Sequence, residues 1–366
     1  MIRELKLVRL AIPLKVPYKL AFGAVTQFDS ILVKATLDAG EGVGEATILN
    51  GYTDETIEGG WARAKAFAAR LPGLAPDEAK QLAASALADA PFTATAFITA
   101  IEVAGDHPLL ATDTWASVPL LAGINATDQA GIEREVEDAL REGYGTLKIK
   151  VGFDVGPDLE RVSLIQRINA GRARLRIDGN QGYSREDGVR FARDVSPSAV
   201  ELLEQPCAAS DWDSAAAVAA ASAVPLMLDE SIYSEADIDR AARVGATFVK
   251  LKLMKLGSLT RLAAALDRIR GLGMRPILGN GVASDLGCWH EACVARRHVD
   301  TAGEMNGFLR QRQSLAKTPM RVEGGSIRLE PGIKLGLDEA KVDAVTLERS
   351  EFVKRRRAAR DRETVS

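Results

Sequence analysis

The stretch that decides the fold reads Leu147-Lys148-Ile149-Lys150-Val151-Gly152, a short apolar run that carries a charged side chain near its end. Four similar runs follow it, and their charged residues are Asp178, Glu204, Asp229 and Lys252. From Lys150 onward, successive members of this set are 28, 26, 25 and 23 residues apart. One strand and its return helix need roughly 30 residues, because eight such units fill a (β/α)8 barrel of about 250 residues. The sequence therefore predicts an α/β fold in which five barrel strands each carry a charged group to their C-terminal end.

Eight apolar runs between residues 118 and 301 support the same fold. They begin at residues 118, 147, 174, 199, 225, 247, 275 and 299. Helical patterns separate them, and an alternation of strands with helices predicts a parallel sheet. We therefore assign residues 116–317 to a catalytic barrel domain, a modified TIM barrel of (β/α)8 type.

Different patterns flank this barrel. Residues 3–11 and 30–37 are rich in Val, Leu and Ile and are typical of strands, whereas the Ala-rich stretch 54–107 has Pro only at its segment borders and predicts helices. Residues 1–115 are therefore predicted to form an α+β domain that caps the barrel. Residues 318–330 again resemble a strand, so we expect residues 318–366 to return to the cap and to end in a basic tail.

Composition limits the classes of function. The chain has 366 residues, 46% of them apolar and 27% charged, and 47 basic against 50 acidic residues give a net charge of −3. These values are ordinary for a soluble globular protein and do not suggest a nucleic-acid partner. The basic run at residues 354–360 is interpreted as a solvated terminus. No stretch approaches the ~20 apolar residues that a membrane span needs.

Cysteine usage gives an expectation about the compartment. The three cysteines form no C-x-x-C pair, and they are Cys207, Cys288 and Cys293. An odd number of thiols without a signal peptide predicts a reducing, cytoplasmic environment. We expect all three thiols to be buried and without a chemical role.

The alternation of side chains along a strand places the charges toward the barrel axis. Three carboxylates that meet in a barrel mouth repel one another unless a cation lies between them. Oxygen ligands suit Mg²⁺, with Mn²⁺ as an alternative ion. The three histidines of the chain are His107, His290 and His298. They lie outside these strand ends, which disfavours zinc and copper as the bound metal.

Two lysines are candidates for proton transfer. A lysine accepts a proton from carbon only when it is neutral, so its pKa must be lowered by burial or by neighbouring positive charge. Lys148 next to Lys150, and Lys250 next to Lys252, supply such charge. Strands two and six face each other across an eight-stranded barrel, so Lys150 and Lys252 are expected to flank one carbon, one removing a proton and the other returning it. Mg²⁺ would hold the substrate carboxylate and stabilise the enediolate that forms.

At these residues the chain resembles the enolase superfamily, specifically its muconate-lactonizing-enzyme subgroup. Lys148-Ile149-Lys150 matches the family's K-x-K motif, whose second lysine is a general acid/base. The resemblance implies that Lys252 is the sixth-strand lysine and that the metal ligands are Asp178, Glu204 and Asp229. It further implies a cap-plus-barrel architecture, a small-molecule carboxylate substrate and a homo-oligomer.

Departures from the family pattern concern the substrate. Lys250 stands where the family often has Asn, and it either favours a dianionic substrate or pairs with an acid. On the seventh strand Ala283 replaces an acid that many relatives carry, which leaves Asp285 as the candidate contact. The Asp-x-Asp motif that holds an ammonium group in the family's dipeptide epimerases is absent from the eighth strand, where Glu304 is the candidate substitute.

Two stretches of the cap resemble the loops that close over the barrel mouth in this family. They lie near residues 17–25 and 49–53, and the side chains expected to meet substrate there are Tyr18, Phe22 and Tyr52. Packing inside the cap is the alternative interpretation for each of the three.

The predicted activity is a Mg²⁺-dependent abstraction of a proton α to a carboxylate. Because both lysines are present, we expect a racemase or epimerase of an amino-acid derivative. The alternative is a cycloisomerase or a syn-dehydratase, as in muconate lactonisation or o-succinylbenzoate synthesis, in which one lysine acts mainly as a cation. A non-enzymatic binding module would be indicated by the loss of a ligand or a lysine, and none is lost.

Overall fold

Long antiparallel strands build the cap. The computed structural model describes residues 1–20, 23–49 and 53–354. The strands of the cap are β1 (Ile2–Leu20), β2 (Gly23–Leu37) and β3 (Glu41–Ile48), and its helices are α1 (Ile57–Ala68), α2 (Pro76–Ala84) and α3 (Pro91–Ala104). β1 pairs with β2, and β2 pairs with β3, both antiparallel. The prediction of strands followed by helices in this part of the chain is confirmed.

Close backbone packing joins α3 to the sheet. Nearly every residue of α3 is buried, and its side chains are mostly Ala, Thr, Ile and Phe. A Cβ atom at Gly44 of β3 would collide with the backbone carbonyl of Ala96 on α3. Glycine is needed there because the helix backbone lies directly against the strand.

The barrel follows a short strand, β4 (Ala116–Pro119). Its parallel strands are β5 (Ala122–Ile124), β6 (Thr146–Lys150), β7 (Arg174–Asp178), β8 (Val200–Glu204), β9 (Leu226–Leu228), β10 (Phe248–Leu251) and β11 (Arg275–Leu278). The helices between and after them are α4 (Gln129–Arg141), α5 (Val155–Asn169), α6 (Arg185–Asp194), α7 (Trp212–Ala221), α8 (Glu235–Arg243), α9 (Leu253–Leu256), α10 (Leu259–Gly271) and α11 (Asp285–His298). The seven strands lie in sequence order within one sheet.

An eighth segment closes the ring. Gly303 forms a parallel bridge with Leu120, just before β5, and Glu304 forms another with Gly279, just after β11. The amide of Gly303 donates to the carbonyl of Pro119 at 2.8 Å, and the amide of Glu304 donates to the carbonyl of Leu278 at 3.0 Å. Seven strands and one bridged segment thus form the predicted modified TIM barrel.

The first predicted barrel strand is placed wrongly. The run that begins at residue 118 belongs to β4, whereas the first barrel strand is β5. β4 pairs antiparallel with β13 (Ser326–Leu329), and β13 pairs with β12 (Arg321–Glu323). The strand predicted within 318–330 therefore joins β4 rather than the cap.

The chain returns to the cap further on. Helix α12 (Glu339–Ala344) precedes β14 (Thr346–Val353), and β14 pairs antiparallel with β1. The boundaries at residues 115 and 317 stay predictions, and the tail from residue 355 lies outside the described residues.

The interior of the barrel is packed below the charged layer. A buried apolar cluster is formed by Leu202, Met227, Phe248 and Ile277. On the first three of these strands a charged residue stands two positions further along the chain, and it therefore points to the same face of the strand. The fully buried Arg176 pairs with Glu201 at 2.7 Å and donates to the carbonyl of Ala302 at 2.7 Å. The charged groups therefore lie above a packed layer, at the C-terminal end of the barrel.

Two smaller expectations are also tested by the fold. All three cysteines are free and buried, as predicted. Within the ranges that the structure describes, no helix has both the length and the apolarity to cross a membrane.

Candidate active site

The predicted catalytic residues meet in one cavity of about 250 Å³ at the C-terminal mouth of the barrel. Of the predicted site residues, it is lined by Tyr18, Lys148, Lys150, Asp178, Glu204, Asp229, Lys250, Lys252 and Glu304. A larger cavity of about 700 Å³ between cap and barrel contains Trp289 and His290 but none of these residues. Cavity size alone therefore does not identify the site, whereas the gathering of charged side chains does.

Close contact of two loops fixes the position of Lys150 relative to Asp178. Gly152, two residues after Lys150, has a φ of 103°, a region that favours glycine. A Cβ atom there would collide with the carbonyl of Gly179 in the loop after β7. The two loops can pack backbone to backbone because no side chain separates them.

Lysine ammonium groups lie between the three predicted metal ligands. Lys148 Nζ is 3.0 Å from Asp178 Oδ2 and 2.8 Å from Glu204 Oε2. Lys250 Nζ is 3.0 Å from Glu204 Oε1 and 3.3 Å from Asp229 Oδ2. All three carboxylates are almost completely buried, so these ion pairs offset the cost of removing the charges from water.

Glu304 completes this network from the eighth segment. Its Oε1 lies 2.8 Å from Lys148 Nζ and its Oε2 lies 2.8 Å from Lys250 Nζ. Lys250 therefore points into the barrel and pairs with acids, which is one of the two alternatives that the sequence left open. Both lysines and Glu304 line the cavity.

Asp229 is shared by three lysines. Besides Lys250, it binds Lys252 Nζ through both oxygens at 3.0 and 2.9 Å, and Lys255 Nζ lies 2.7 Å from its Oδ1. One carboxylate thus faces the side-chain nitrogens of three lysines. Burial and the neighbouring Lys255 hold the pKa of Lys252 well below its usual value, which favours the neutral amine.

The other charged groups respond to the same surroundings. Burial opposes the charge of Lys148, but Asp178, Glu204 and Glu304 outweigh it and raise the pKa of this lysine. Burial raises the pKa of Glu204 to about 7, with repulsion from Asp178 acting in the same direction. Lys148 is therefore a fixed cation, in contrast to Lys252.

Lys150 has different partners. Its Nζ donates to Asn180 Oδ1 at 3.1 Å, and Asn180 Nδ2 donates to Glu230 Oε1 at 2.6 Å. Asn180 has a left-handed φ of 45°, a conformation that Asn tolerates better than most residues. Asn180 and Glu230 both line the cavity.

Sequence reasoning missed several residues of this cavity. Asn180 and Glu230 stand two residues and one residue after predicted ligands, which is the signal that would have found them. Lys255 follows Lys252 by one helical turn and reaches the same carboxylate. Asn280 lines the wall at the end of β11, and no charge marks it in the sequence.

Three predicted substrate contacts have other outcomes. Asp285 is wrong, because it lies on α11 with its carboxylate bound to Ser314 Oγ at 2.8 Å and to the amide of Leu315 at 2.9 Å, away from the cavity. Its alignment with the strand ends fails since the chain is already helical there. Phe22 and Tyr52 lie outside the described residues.

Tyr18 is at the rim of the cavity, where both interpretations of this residue apply. Its ring packs edge-on against Phe28, with centroids 5.6 Å apart, and Arg310 stacks on it at 4.8 Å. It therefore packs within the cap and lines the site at the same time.

The donor set fits a divalent cation, although the side chains are not arranged around one. Among the residues that the structure describes, no group of three or more Asp, Glu, His or Cys side chains is positioned to hold a metal ion. A lysine nitrogen instead lies between each pair of neighbouring acids. Glu204 Oε2 is buried without a hydrogen bond, and its contact with Lys148 is an ion pair. Three buried carboxylates on successive strands, joined pairwise by single cationic atoms, are the oxygen-only donors that Mg²⁺ prefers. The ligand roles of Asp178, Glu204 and Asp229 stay predictions.

Comparison with known proteins assigns the family. Residues 131–341 match the family described as Enolase C-terminal domain-like, which covers more than half of the chain. The chain belongs to this family, and thus to the enolase superfamily in its muconate-lactonizing-enzyme subgroup. It is an isomerase or lyase of that superfamily, and membership implies the use of a divalent metal ion.

Individual relatives catalyse different reactions. The chain is 28% identical to muconate cycloisomerase 1 of Rhodococcus opacus, over 92% of this chain and 95% of that protein. It is 22% identical to N-succinyl-L-Arg/Lys racemase of Bacillus cereus, over 94% and 98%. Its fold matches dipeptide epimerase of Cytophaga hutchinsonii, solved with Mg and D-Ala-L-Val, with a TM-score of 0.86, 20% identity and coverage of 96% and 100%. Racemases, epimerases and cycloisomerases are thus all represented among proteins similar to this one.

Proposed function

We propose that this protein is a Mg²⁺-dependent racemase or epimerase of an amino-acid derivative that removes the proton α to a carboxylate. The observation that carries the proposal is the placement of two lysines. Lys150 at the end of β6 and Lys252 after β10 line the same cavity, and three acid-bearing strands separate them in the sheet. In a ring of eight strands, this separation puts the two amines on opposite sides of a bound carbon.

The residues divide the work of proton transfer. Lys252, whose neutral form is favoured, takes the α-proton of one enantiomer onto its Nζ, while the electron pair of the broken C–H bond moves into the substrate carboxylate and gives an enediolate. Lys150 then delivers a proton to the opposite face of the carbon. For the other enantiomer the two lysines exchange roles. Asn180 orients Lys150 by its hydrogen bond of 3.1 Å.

The acids between the two lysines orient the substrate. Asp178, Glu204 and Asp229 would hold the divalent ion, which when bound supplies positive charge to the substrate carboxylate and to its enediolate. A substrate carboxylate bound beside these acids would face β7, β8 and β9, and its α-carbon would then lie toward the axis between the two lysines. Lys148 adds a fixed positive charge beside this carboxylate.

Deuterium exchange tests the proposal. Candidate N-acyl amino acids and dipeptides are incubated with the enzyme and Mg²⁺ in D₂O, and the α-carbon is followed by NMR. Exchange accompanied by inversion supports a racemase or epimerase. Retention of the α-proton across the panel would exclude this reaction for these substrates.

A cycloisomerase or syn-dehydratase is the second candidate, favoured by the similarity to muconate cycloisomerase 1 over most of both chains. These reactions need one lysine as acid/base and the other mainly as a cation. Ring closure or loss of water, observed by NMR in the same experiment with a muconate or a hydroxy acid as substrate, would assign the protein to this alternative.

A further inference from the structure

The backbone directly after Lys252 needs support from another part of the protein. Lys252 is extended, with a φ of −135° and a ψ of 145°, and it precedes the short helix α9, which begins at Leu253. The first amides of a helix have no acceptor within the helix, and the side chain of the preceding residue commonly supplies one. The side chain of Lys252 cannot do so, because it extends into the active site and binds both oxygens of Asp229. The amide of Leu253 therefore needs an acceptor from elsewhere.

Glu291 of α11 supplies this acceptor. Its Oε1 accepts a hydrogen bond from the amide of Leu253 at 2.6 Å, and its side chain is fully buried. At the other end of the same peptide unit, the carbonyl of Lys252 accepts from the amide of Lys255 at 3.0 Å. Both ends of the peptide unit that follows Lys252 are thus hydrogen-bonded, which restricts the rotation of this unit.

This peptide unit lies in the wall of the active site. Lys252 and Met254, the residues on either side of Leu253, both line the cavity. Rotation about the Cα–C bond of Lys252 turns the peptide unit relative to the Cα–Cβ bond, so a fixed peptide unit fixes the direction in which the side chain leaves the backbone. Proton transfer depends steeply on this direction, because a displacement of about 1 Å can lower a rate by about 100-fold. Glu291 can therefore affect catalysis without touching a substrate.

A neutral side chain can fill this role. Burial raises the pKa of Glu291 to about 8, although its bond with the Leu253 amide acts in the opposite direction. Near neutral pH the carboxyl group is therefore mainly protonated, and its carbonyl oxygen still accepts a hydrogen bond. Among the residues that the structure describes, Glu291 Oε2 has no hydrogen-bond partner, so the bond to Leu253 is the one that anchors this buried group.

We propose that Glu291 is a positioning residue for Lys252, whose amine it directs at the substrate α-carbon by holding the amide of Leu253. This inference rests on the proposed function, because it assigns Lys252 to one face of that carbon. Lys150, which serves the other face, is held separately by Asn180. Loss of the acceptor should therefore affect the two faces unequally, whereas a general loosening of the barrel would affect both.

Initial rates of α-deuteration in D₂O, measured with Mg²⁺ for each enantiomer of a substrate, test this difference. Lys252→Ala identifies the enantiomer that depends on Lys252. In Glu291→Leu, which removes the acceptor and keeps a similar volume, that enantiomer should lose at least about tenfold in rate and the other less than about threefold. Glu291→Gln keeps an acceptor and should retain both rates within about threefold of the wild type.

Glu102→Leu is the matched control. Glu102 is also a buried acid that accepts from the first amide of a helix, that of Leu259 in α10, at 2.8 Å. Its loss should lower the stability without changing the ratio of the two deuteration rates. Circular dichroism checks the fold of each variant. If Glu291→Leu does not fold, Glu291→Asp takes its place with the same expected result, because its shorter side chain withdraws the acceptor.

Failure of this inference differs from failure of the proposed reaction. Unchanged rates or an equal loss for both enantiomers in Glu291→Leu would overturn the positioning role and leave the reaction in place. A selective loss in Glu291→Gln as large as that in Glu291→Leu would do the same, because the acceptor is still present. If the wild-type enzyme deuterates neither enantiomer of any candidate substrate, the proposed reaction is wrong, and the positioning role is rejected with it.

Discussion

Glu45 joins the cap to the barrel, and its replacement gives a prediction with a magnitude. Glu45 lies on β3, and its carboxylate accepts from Ser284 N at 2.8 Å, Ser284 Oγ at 2.7 Å and Gly287 N at 3.0 Å. Ser284 and Gly287 form the first turn of α11. The segment 280–282 just before this turn lines the active-site cavity, so Glu45 holds a wall of the site from another domain.

The expected cost of Glu45→Ala follows from these bonds. Hydrogen bonds to a charged group contribute about 1.5–3 kcal/mol each, and a buried donor left without a partner costs about 1–3 kcal/mol. An acid at a helix N-terminus adds up to about 1 kcal/mol. Because Glu45 is only half-buried, water replaces part of the loss, and we expect the free energy of unfolding to fall by about 2–4 kcal/mol. Glu339→Ala is the control, since Glu339 is exposed and pairs only with Lys34 among the described residues, and it should cost less than about 1 kcal/mol.

Urea unfolding and amide hydrogen exchange measure this effect. In Glu45→Ala the unfolding midpoint should drop well below that of Glu339→Ala, and the amides of Ser284 and Gly287 should exchange faster. The Michaelis constant should rise, because the wall at 280–282 is less well held. Equal midpoints for the two variants, with unchanged protection of both amides, would refute the role of Glu45 as a clamp.

Two further predictions concern single side chains. Glu204→Gln should weaken Mg²⁺ binding in calorimetry by at least about tenfold because a ligand charge is lost. Glu339→Gln is the control. An unchanged Mg²⁺ affinity of the Glu204→Gln variant would show that Glu204 is not a ligand. Burial lowers the pKa of His290 from the usual 6.5 to about 4. Between these two pH values the unfolded chain therefore binds a proton at this residue and the folded chain does not. The contribution of neutral His290 to the free energy of unfolding is therefore complete above pH 6.5 and falls by up to about 3 kcal/mol as the pH approaches 4. Urea unfolding at several pH values should show a weaker loss of stability over this range for His290→Phe than for the wild type. The same pH dependence in both proteins would contradict the assignment.

The sequence predicts most of the charged active-site residues because the position of a residue in the chain determines its position in a barrel. Each βα unit has nearly the same length, so the charged ends of β6, β7 and β8 must reach one mouth, and side-chain alternation settles their direction. Lys150, Asp178 and Glu204 line one cavity for this reason. No long-range information is needed for that step.

Long-range pairing is what the sequence did not reveal. The apolar run at residue 118 predicts a barrel strand, but it belongs to β4, which pairs with β13 more than 200 residues later in the chain. The pairing of Lys250 with Glu304 depends in the same way on how the ring closes. Asp285 failed for a local reason, because the strand period no longer applies once α11 begins.

The most direct test of the account follows the label in single-lysine variants. Both enantiomers of a substrate are incubated in D₂O with Lys150→Ala, with Lys252→Ala and with the surface control Lys65→Ala. We predict that neither active-site variant interconverts the enantiomers. Each variant should exchange the α-proton of only one enantiomer, and the two variants should differ in which enantiomer this is. Inversion at the wild-type rate in either variant would contradict the placement of the two amines on opposite faces of the carbon.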